Sequence, residues 1–316
     1  MTWTQSLVLA LLQGITELFP ISSLGHTVVA AALLGWGNLV VSPSFVPFLV
    51  LFHVGTAAAL FIYFWRDWVA IIRGFIVTAV AGRLDADRNG RLAWLLIVGT
   101  VPAGLIGLFL ENPLKSLFAT PLVAAAFLAL NGVVLLVGER ARRRALASEP
   151  REPREPRGVP PDPRTTHGVG LLTLAPEQTS SEADSAYRPF ETLTWREAVL
   201  IGLAQALALI PGISRSGVTM VAALRVGMNH EEAATYTFLL ATPIIAAAGV
   251  LEIPQLFGMG SATLLPALVG GVVAAVAAYL STTFLMRYFE KGRLDPFGYY
   301  CIIVGLLSFA FLAIHG

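Results

Sequence analysis

Charged residues are scarce in this 316-residue chain, in which Asp, Glu, Lys and Arg together make up 13% and hydrophobic residues 56%. Soluble domains carry about 25% charged residues, so the composition excludes an ordinary water-soluble protein. Each of six apolar runs is close to the roughly 20 residues that a bilayer-spanning helix requires. The runs that lack all four charged residue types are 45–65, 92–110, 117–138, 233–251, 262–286 and 297–314. The sequence therefore predicts an all-α polytopic membrane protein.

Cysteine and N-terminal basic residues are also nearly missing. The one cysteine, Cys301, excludes an intramolecular disulfide, and its place inside the last apolar run favours a buried, inert thiol. No Lys or Arg precedes the first apolar segment, which argues against a cleaved secretory leader, and we expect the N-terminus to be retained.

Two further apolar segments are interrupted by helix-breaking residues. Segment 3–36 is broken by FPISSLG (19–25), and segment 198–226 is broken by PGISRSG (211–217). Proline and clustered Ser and Gly end helices. Each remaining arm reaches roughly 15 to 24 Å, short of the ~30 Å hydrocarbon core. We expect two re-entrant helix–loop–helix hairpins, packed in protein or lining a wet cavity.

The two broken segments resemble each other. QGITELFPISSLGHT (13–27) and QALALIPGISRSGVT (205–219) align without gaps, and three full spans follow each. The pattern predicts two copies of one unit, and three spans between the hairpins place the second copy in inverted topology. Inverted repeats typically bind their ligand near the midplane, where the broken elements meet. Residues 17–26 and 214–219 are therefore expected to converge.

This organisation predicts a first repeat over 1–138, a linker over 139–193 and a second repeat over 194–316. The linker contains three tandem Glu-Pro-Arg units and too little apolar surface for a core, so we expect disorder in preference to a docking segment.

Lys and Arg gather on one side of the predicted topology, and the other side has only Lys115. The positive-inside rule makes the linker cytoplasmic. Both termini and the opening of the first hairpin then face the outside of the cell (inner) membrane.

Two opposite charges lie deep within the broken segments, whereas the other charged residues fall in loops, the linker or helix ends. Glu17 precedes the first break and Arg215 lies inside the second. A charge at the centre of a membrane helix is costly, so an intramembrane charge indicates a functional site. The alternative is a plain ion pair that pins the repeats together, and the further polar residues around both charges argue against that reading alone.

Polar residues at both breaks favour a phosphate and a divalent cation. Gln13 lies one turn before Glu17 on the same helix face, and their oxygens suit Mg²⁺ or Ca²⁺ bridging to phosphate. Hydroxyls ahead of a half-helix suit an anion at its N-terminus, and Arg215 offers a fork that matches phosphate oxygens. The other polar residues at the breaks are Ser22, Ser23, His26, Ser214, Ser216 and Thr219. His53, inside a full span, is interpreted as a structural hydrogen bonder in preference to a relay.

QGITELFPISSLGH (13–26) and LIPGISRSGVT (209–219) resemble the two signature motifs of the undecaprenyl-diphosphatase family, the membrane phosphatases associated with bacitracin resistance. The resemblance covers both halves, about 1–138 and 192–316, and fails across the linker. It implies six spans with two re-entrant hairpins in inverted repeat. It also implies hydrolysis of undecaprenyl (polyprenyl) diphosphate to the monophosphate and inorganic phosphate, which recycles the cell-wall lipid carrier. Position 13 departs from many members, which have Glu where this chain has Gln.

The resemblance implies a role for each matching residue. Glu17 would support metal binding or water activation, Arg215 would clamp phosphate, and Ser23 and His26 would supply the nucleophile and the acid or base. Supporting donors would be Ser22, Ser214, Ser216 and Thr219. Two mechanisms stay open. In one, Ser23 attacks phosphorus with assistance from His26 and gives a phosphoenzyme. In the other, Glu17 or His26 activates water, and Ser23 only donates a hydrogen bond.

The expected partners are a polyprenyl diphosphate lipid and the membrane, with no nucleic acid; a homo-oligomer is left open. A transporter or flippase of polyprenyl phosphate or another small anion is the main alternative function, because inverted repeats with broken helices are a transporter architecture. A purely structural scaffold is the other alternative, and it does not explain charges at matched breaks.

Overall fold

The computed structural model describes residues 1–42, 44–84, 86–110, 120–148, 188–254 and 261–315, and within these ranges all regular secondary structure is helical. Its α-helices are α1 (Trp3–Thr16), α2 (Ser23–Leu33), α3 (Gly37–Val40), α4 (Phe45–Tyr63), α5 (Trp65–Ala81), α6 (Arg88–Phe109), α7 (Pro121–Ser148), α8 (Trp195–Ala206), α9 (Arg215–Arg225), α10 (His230–Glu252), α11 (Ser261–Phe289) and α12 (Asp295–His315). Six of these, α4, α6, α7, α10, α11 and α12, are long and apolar enough to cross a membrane. The six predicted spans are thereby confirmed.

Both predicted breaks are present, and each lies between two short helices. Helices α1 and α2 have 14 and 11 residues, and α8 and α9 have 12 and 11, too few to cross a bilayer core of about 30 Å. Pro20 and Pro211 lie within the breaks, where a missing N–H and a fixed φ prevent the helix from continuing. A 3₁₀ turn, Leu207–Leu209, leads from α8 into the second break.

The two hairpins begin and end at corresponding residues. Helices α1 and α8 each start after a threonine that forms a capping box, and α2 and α9 each start after a serine that accepts a hydrogen bond from a glycine N–H. The four capping pairs are Thr2–Gln5, Thr194–Glu197, Ser22–Gly25 and Ser214–Gly217. Equal caps at equal positions make the helices of the two segments start at matching residues.

Each hairpin packs against a span from the other half of the chain. Helix α1 lies along α11, where Gly14 meets the backbone of Ala274, and α8 lies along α6, where Gly202 meets Gly99. A Cβ atom on either Gly14 or Gly202 would overlap the facing carbonyl. Small residues therefore let the backbones approach closely, as is usual between membrane helices.

Helix α5 was not predicted, because Arg66 and Arg73 interrupt the apolar pattern and the stretch after the first span was assigned to a loop. The structure forms an amphipathic helix there, with Asp67 in its first turn, where an acidic side chain favours the helix dipole. Its apolar side chains Val69 and Ile76 are exposed. With Arg66, Asp67 and Arg73 in its 17 residues, α5 contains no charge-free run of the length that a span requires.

The ends of the predicted linker, 139–193, differ from the expectation of disorder. Helix α7 continues to Ser148, and its buried Glu139 accepts a hydrogen bond from His230 Nε2 at 2.7 Å. At the other end, the Arg188 N–H donates to Gly227 O at 3.1 Å, and its side chain pairs with Glu197. Tertiary contacts order these ends. The rest of the predicted linker, 149–187, lies outside the described residues.

Candidate active site

A cavity of about 260 Å³ lies between the two hairpins and is closed at its sides by α4, α6 and α10. One wall is apolar, with Val46 and Leu49 from α4 and Ile245 and Ala248 from α10. The polar and charged residues gather at the breaks and at one position of α4. They are Glu17, Ser22, Ser23, His53, Gln205, Ser214 and Arg215. The cavity can therefore hold a ligand with one charged end and one apolar end.

The carboxylate of Glu17 is the centre of the polar part of the cavity. Its Oε1 accepts a hydrogen bond from Arg215 Nη2, and its Oε2 accepts one from the Ser23 hydroxyl. Gln13 Nε2 also donates to Oε2, at 2.8 Å, and His53 Nε2 lies 3.2 Å from the same oxygen. The Glu17 side chain is only 4% exposed, so an opposite charge and several polar groups compensate for burial of its own charge.

Ser23 and Arg215 reach Glu17 from equivalent places in the two hairpins. Each is the first residue of the helix that follows its break, directly after a capping serine. The loops themselves touch, because Gly25 packs against the backbone of Gly212, and the Ser216 hydroxyl donates to Phe19 O at 3.0 Å. The predicted convergence of the two broken segments is what the structure shows.

The first break is held in an unusual conformation. Among the described residues Ser22 is the one non-glycine residue with positive φ, at 68°. Such a conformation is sterically unfavourable and often marks a functional loop. The Ser22 hydroxyl accepts from the Gly25 N–H at 3.2 Å, and its carbonyl lies 2.8 Å from His26 Nδ1. These contacts fix the loop that carries Ser23.

His26 does not line the cavity. Its Nε2 lies 3.0 Å from the Tyr300 hydroxyl, its ring stacks on Tyr300, and its Nδ1 is the atom that contacts the Ser22 carbonyl. Both ring nitrogens are engaged away from Glu17. His26 can act as an acid or base only after it breaks one of these contacts, whereas in this arrangement it positions the first break.

The three hydroxyls predicted at the second break have different surroundings. Ser214 lines the cavity and caps α9, and its hydroxyl lies 3.1 Å from that of Ser216. Ser216 is buried and bonded to the first hairpin. Thr219 is also buried and does not line the cavity, and its hydroxyl has no hydrogen-bond partner among the described residues. Only Ser214 faces the cavity directly.

His53 is a cavity residue that the sequence analysis interpreted as structural. Its Nδ1 does bond to its own helix, at 2.7 Å from Leu49 O, and its Nε2 lies at the Glu17 carboxylate. The hydrogen bond between Nδ1 and the Leu49 carbonyl fixes the ring so that Nε2 points toward Glu17. Its signal in the sequence was an ionisable side chain inside a span, which indicates function by default.

Asn131 was not identified from the sequence, although it bonds to both breaks. This fully buried residue of α7 donates from Nδ2 to Pro20 O at 3.0 Å, and its Oδ1 accepts from the Ser214 N–H at 2.9 Å. Its neighbour Cys301 is buried, as predicted for an inert thiol. The sequence offered only one weak signal, a single amide side chain inside the apolar run 117–138.

The family model described as "Bacitracin resistance protein BacA" matches residues 6–307 of this chain. The chain belongs to the BacA family. It is 45% identical to "Undecaprenyl-diphosphatase 2" of Frankia alni over 97% of both chains. It is 45% identical to "Undecaprenyl-diphosphatase" of Mycolicibacterium paratuberculosis, over 100% of this chain and 99% of the relative. It is also 44% identical to "Undecaprenyl-diphosphatase" of Acidiphilium cryptum, over 98% and 97% of the two chains.

The expected divalent cation requires oxygen ligands near Glu17. Within the described ranges no three His, Cys, Asp or Glu side chains lie close enough together to hold a metal ion. Mg²⁺, however, is usually held by one or two carboxylates together with substrate phosphates. Gln13 Oε1 is buried and has no hydrogen-bond partner among the described residues. With its amide turned over, Gln13 would present this oxygen beside Glu17, and this donor set fits a cation shared with a phosphate.

Replacing Asn131 by valine is expected to destabilise the protein, because Pro20 O and the Ser214 N–H would lose their buried partner. A buried group left unpartnered costs roughly 1–3 kcal/mol. Thr282→Val is the matched control, since among the described residues the buried Thr282 hydroxyl bonds to Ala278 O in its own helix and to no other group. Thermal unfolding in detergent should give a melting temperature several degrees lower for Asn131→Val than for Thr282→Val. Equal melting temperatures would contradict the bridging role of Asn131.

Proposed function

We propose that this protein hydrolyses undecaprenyl (polyprenyl) diphosphate to the monophosphate and inorganic phosphate, and thereby recycles the cell-wall lipid carrier. One observation carries the proposal: a guanidinium, a serine hydroxyl and a carboxylate meet in a cavity between two broken helices. The chain belongs to the BacA family, and relatives that are 44–45% identical over their whole length are undecaprenyl-diphosphatases. The protein is accordingly a membrane phosphatase that acts on a phosphoanhydride. No comparison favours the transporter or flippase alternative.

The shape of the cavity supports a lipid diphosphate as the substrate. The apolar wall formed by α4 and α10 suits the first prenyl units, and the charged end suits the diphosphate. Arg215 has five N–H donors, and the contact with Glu17 uses only those on Nη2. Its remaining donors can bind phosphate oxygens, and the α9 N-terminus beside it favours an anion. We assign phosphate binding to Arg215 with Ser214, and a supporting role to Ser22, Ser216 and Thr219.

The contact between Ser23 and Glu17 supports nucleophilic catalysis by the serine. Glu17 would take the hydroxyl proton while Ser23 Oγ attacks the terminal phosphorus and the bond from that phosphorus to the bridging oxygen breaks. The prenyl monophosphate leaves, and water then cleaves the phosphoserine to release inorganic phosphate. Arg215 would stabilise the charge that develops on the transferred phosphoryl group. In the alternative, Glu17 activates water directly, and Ser23 only donates a hydrogen bond.

We also propose that Mg²⁺ or Ca²⁺ binds at Glu17 and Gln13. When bound, the cation would neutralise phosphate charge next to the carboxylate. Without it, the negative charges of Glu17 and the diphosphate would repel each other, and Arg215 alone would have to offset both. Gln13 in place of a second carboxylate reduces that repulsion by one charge and lowers the affinity for the cation.

The matched helix starts support an inverted-topology repeat, with 1–138 and 194–316 as the two units and 139–193 as the connection between them. Each unit would contain one re-entrant hairpin and three spans. The gathering of Lys and Arg on one side supports a cytoplasmic connection. We therefore propose that both termini and the opening of the cavity face the outside of the cell (inner) membrane, where the substrate diphosphate is released.

Purified protein in detergent should release inorganic phosphate from a C55 polyprenyl diphosphate, and EDTA should abolish the release. Glu17→Ala should lose activity because it removes the proposed base and cation ligand. Thr283→Ala is the control, since its hydroxyl donates to Tyr279 O in its own helix and does not line the cavity. Folded wild-type protein that releases no phosphate with any added divalent cation would refute the phosphatase assignment.

Arg215→Lys should lower kcat/KM by roughly 100-fold or more, because a single ammonium group cannot replace a fork that binds both Glu17 and phosphate. Arg225→Lys, at the exposed end of the same helix, should retain wild-type activity. Phosphate release measured over a range of substrate concentrations compares the two variants. Near-wild-type kcat/KM in the Arg215→Lys enzyme would contradict the assignment of Arg215 to phosphate binding.

A further inference from the structure

Gln205 is a buried amide in the cavity that the proposed reaction leaves without a role. It lies near the end of α8, is 2% exposed, and lines the same cavity as Glu17 and Arg215. Within the described part of the chain neither its Nε2 nor its Oε1 has a hydrogen-bond partner. Buried polar side chains are nearly always bonded, and leaving one unpartnered lowers stability. Since the described part of the chain supplies no partner for this amide, a bound ligand is the natural candidate.

Comparison with Gln13 shows why the Gln205 amide lacks the partner that Gln13 has. Both glutamines open the matching stretches of the two hairpins, and both are buried. In the first hairpin Gln13 Nε2 donates to Glu17, four residues further along the chain. In the second hairpin the residue four positions after Gln205 is Leu209, which has no acceptor in its side chain. The second hairpin thus keeps the glutamine but lacks the carboxylate that would occupy it.

We propose that Gln205 is a substrate-binding residue whose Nε2 donates hydrogen bonds to a phosphate oxygen of the diphosphate. The inference rests on the proposed function for the identity of the ligand. A diphosphate presents several acceptor oxygens, and Arg215, Ser23 and Ser214 supply donors at the break. An amide adds two N–H donors without adding charge to a cavity that already holds one ion pair. The two hairpins then use the same residue type differently: Gln13 acts beside the Glu17 carboxylate, and Gln205 binds the substrate.

Ligand binding and ligand-free stability should respond in opposite directions to Gln205→Leu. Leucine of similar shape removes two buried, unpartnered polar atoms, so the empty protein should be as stable as the wild type or more stable. A hydrogen bond to a charged group is lost at the same time, which should weaken binding roughly 10- to 100-fold. A glutamine with a merely structural role would behave in the reverse way, with lower stability and unchanged affinity.

The test is equilibrium binding of a polyprenyl methylenediphosphonate, which cannot be hydrolysed at its bridging carbon, to purified full-length protein with Mg²⁺ present. Thr237→Val is the matched control, because the Thr237 hydroxyl is also buried without a hydrogen-bond partner in the described ranges but does not line the cavity. Thermal unfolding of each ligand-free protein is measured in parallel.

We expect Gln205→Leu to raise the Kd about 10- to 100-fold with no fall in melting temperature, and Thr237→Val to keep the wild-type Kd. A wild-type Kd in Gln205→Leu, a lower melting temperature at unchanged affinity, or no binding by the wild-type protein would each overturn the inference. Phosphate release from the C55 diphosphate is scored separately. Wild-type protein that binds the analogue but releases no phosphate would refute the phosphatase function and leave the binding role of Gln205 to be decided by the Kd values.

Discussion

The ion pair between Glu17 and Arg215 is the interaction on which the rest of the site depends. A carboxylate that is almost fully buried among membrane helices is stable only when opposite charge and hydrogen-bond donors surround it. Arg215 brings that charge from the second hairpin, and Gln13 and Ser23 bring donors from the first. Because the pair joins the two halves of the chain, the position of the proposed base and the position of the phosphate-binding group are set together.

The remaining contacts hold the two breaks in the positions that bring this pair together. Proline and glycine end the helices that lead into the two breaks. Ser22, in the first break, has an unfavourable positive φ. Asn131 of α7 forms hydrogen bonds with Pro20 O and with the Ser214 N–H, so one helix holds both breaks in place. The hydroxyl and the guanidinium point into the cavity because they lie at the first positions of the helices that follow. Irregular backbone at the two breaks is tolerated because protein groups form hydrogen bonds with it.

The spans and breaks were predictable because their causes are local in sequence. A charge-free run of about 20 residues and a proline within a short apolar segment each limit the structure strongly. Helix α5 was missed because Arg66 and Arg73 interrupt its apolar sequence. The ordered ends of the predicted linker depend on partners far along the chain, such as His230 for Glu139.

Within the site, Glu17, Ser23 and Arg215 could be chosen from residue type and position, but contacts between elements could not. The place of His53 beside Glu17 depends on how α4 packs against the first hairpin, and the direction of His26 toward Tyr300 depends on α12. Neither contact can be predicted from the spacing of residues in the motifs. Gln205 became distinct from Gln13 only when the surroundings of each amide were known.

A double-mutant cycle on the ligand-free protein tests the central ion pair most directly, and it does not depend on any substrate. Glu17→Gln, Arg215→Met and the double variant would be compared with the wild type by unfolding in detergent. Removal of one partner of a buried pair costs about 3–5 kcal/mol, whereas replacement of both partners can be close to neutral. We therefore expect the double variant to be more stable than at least one single variant. A double variant whose loss equals the sum of the two single losses would contradict the account.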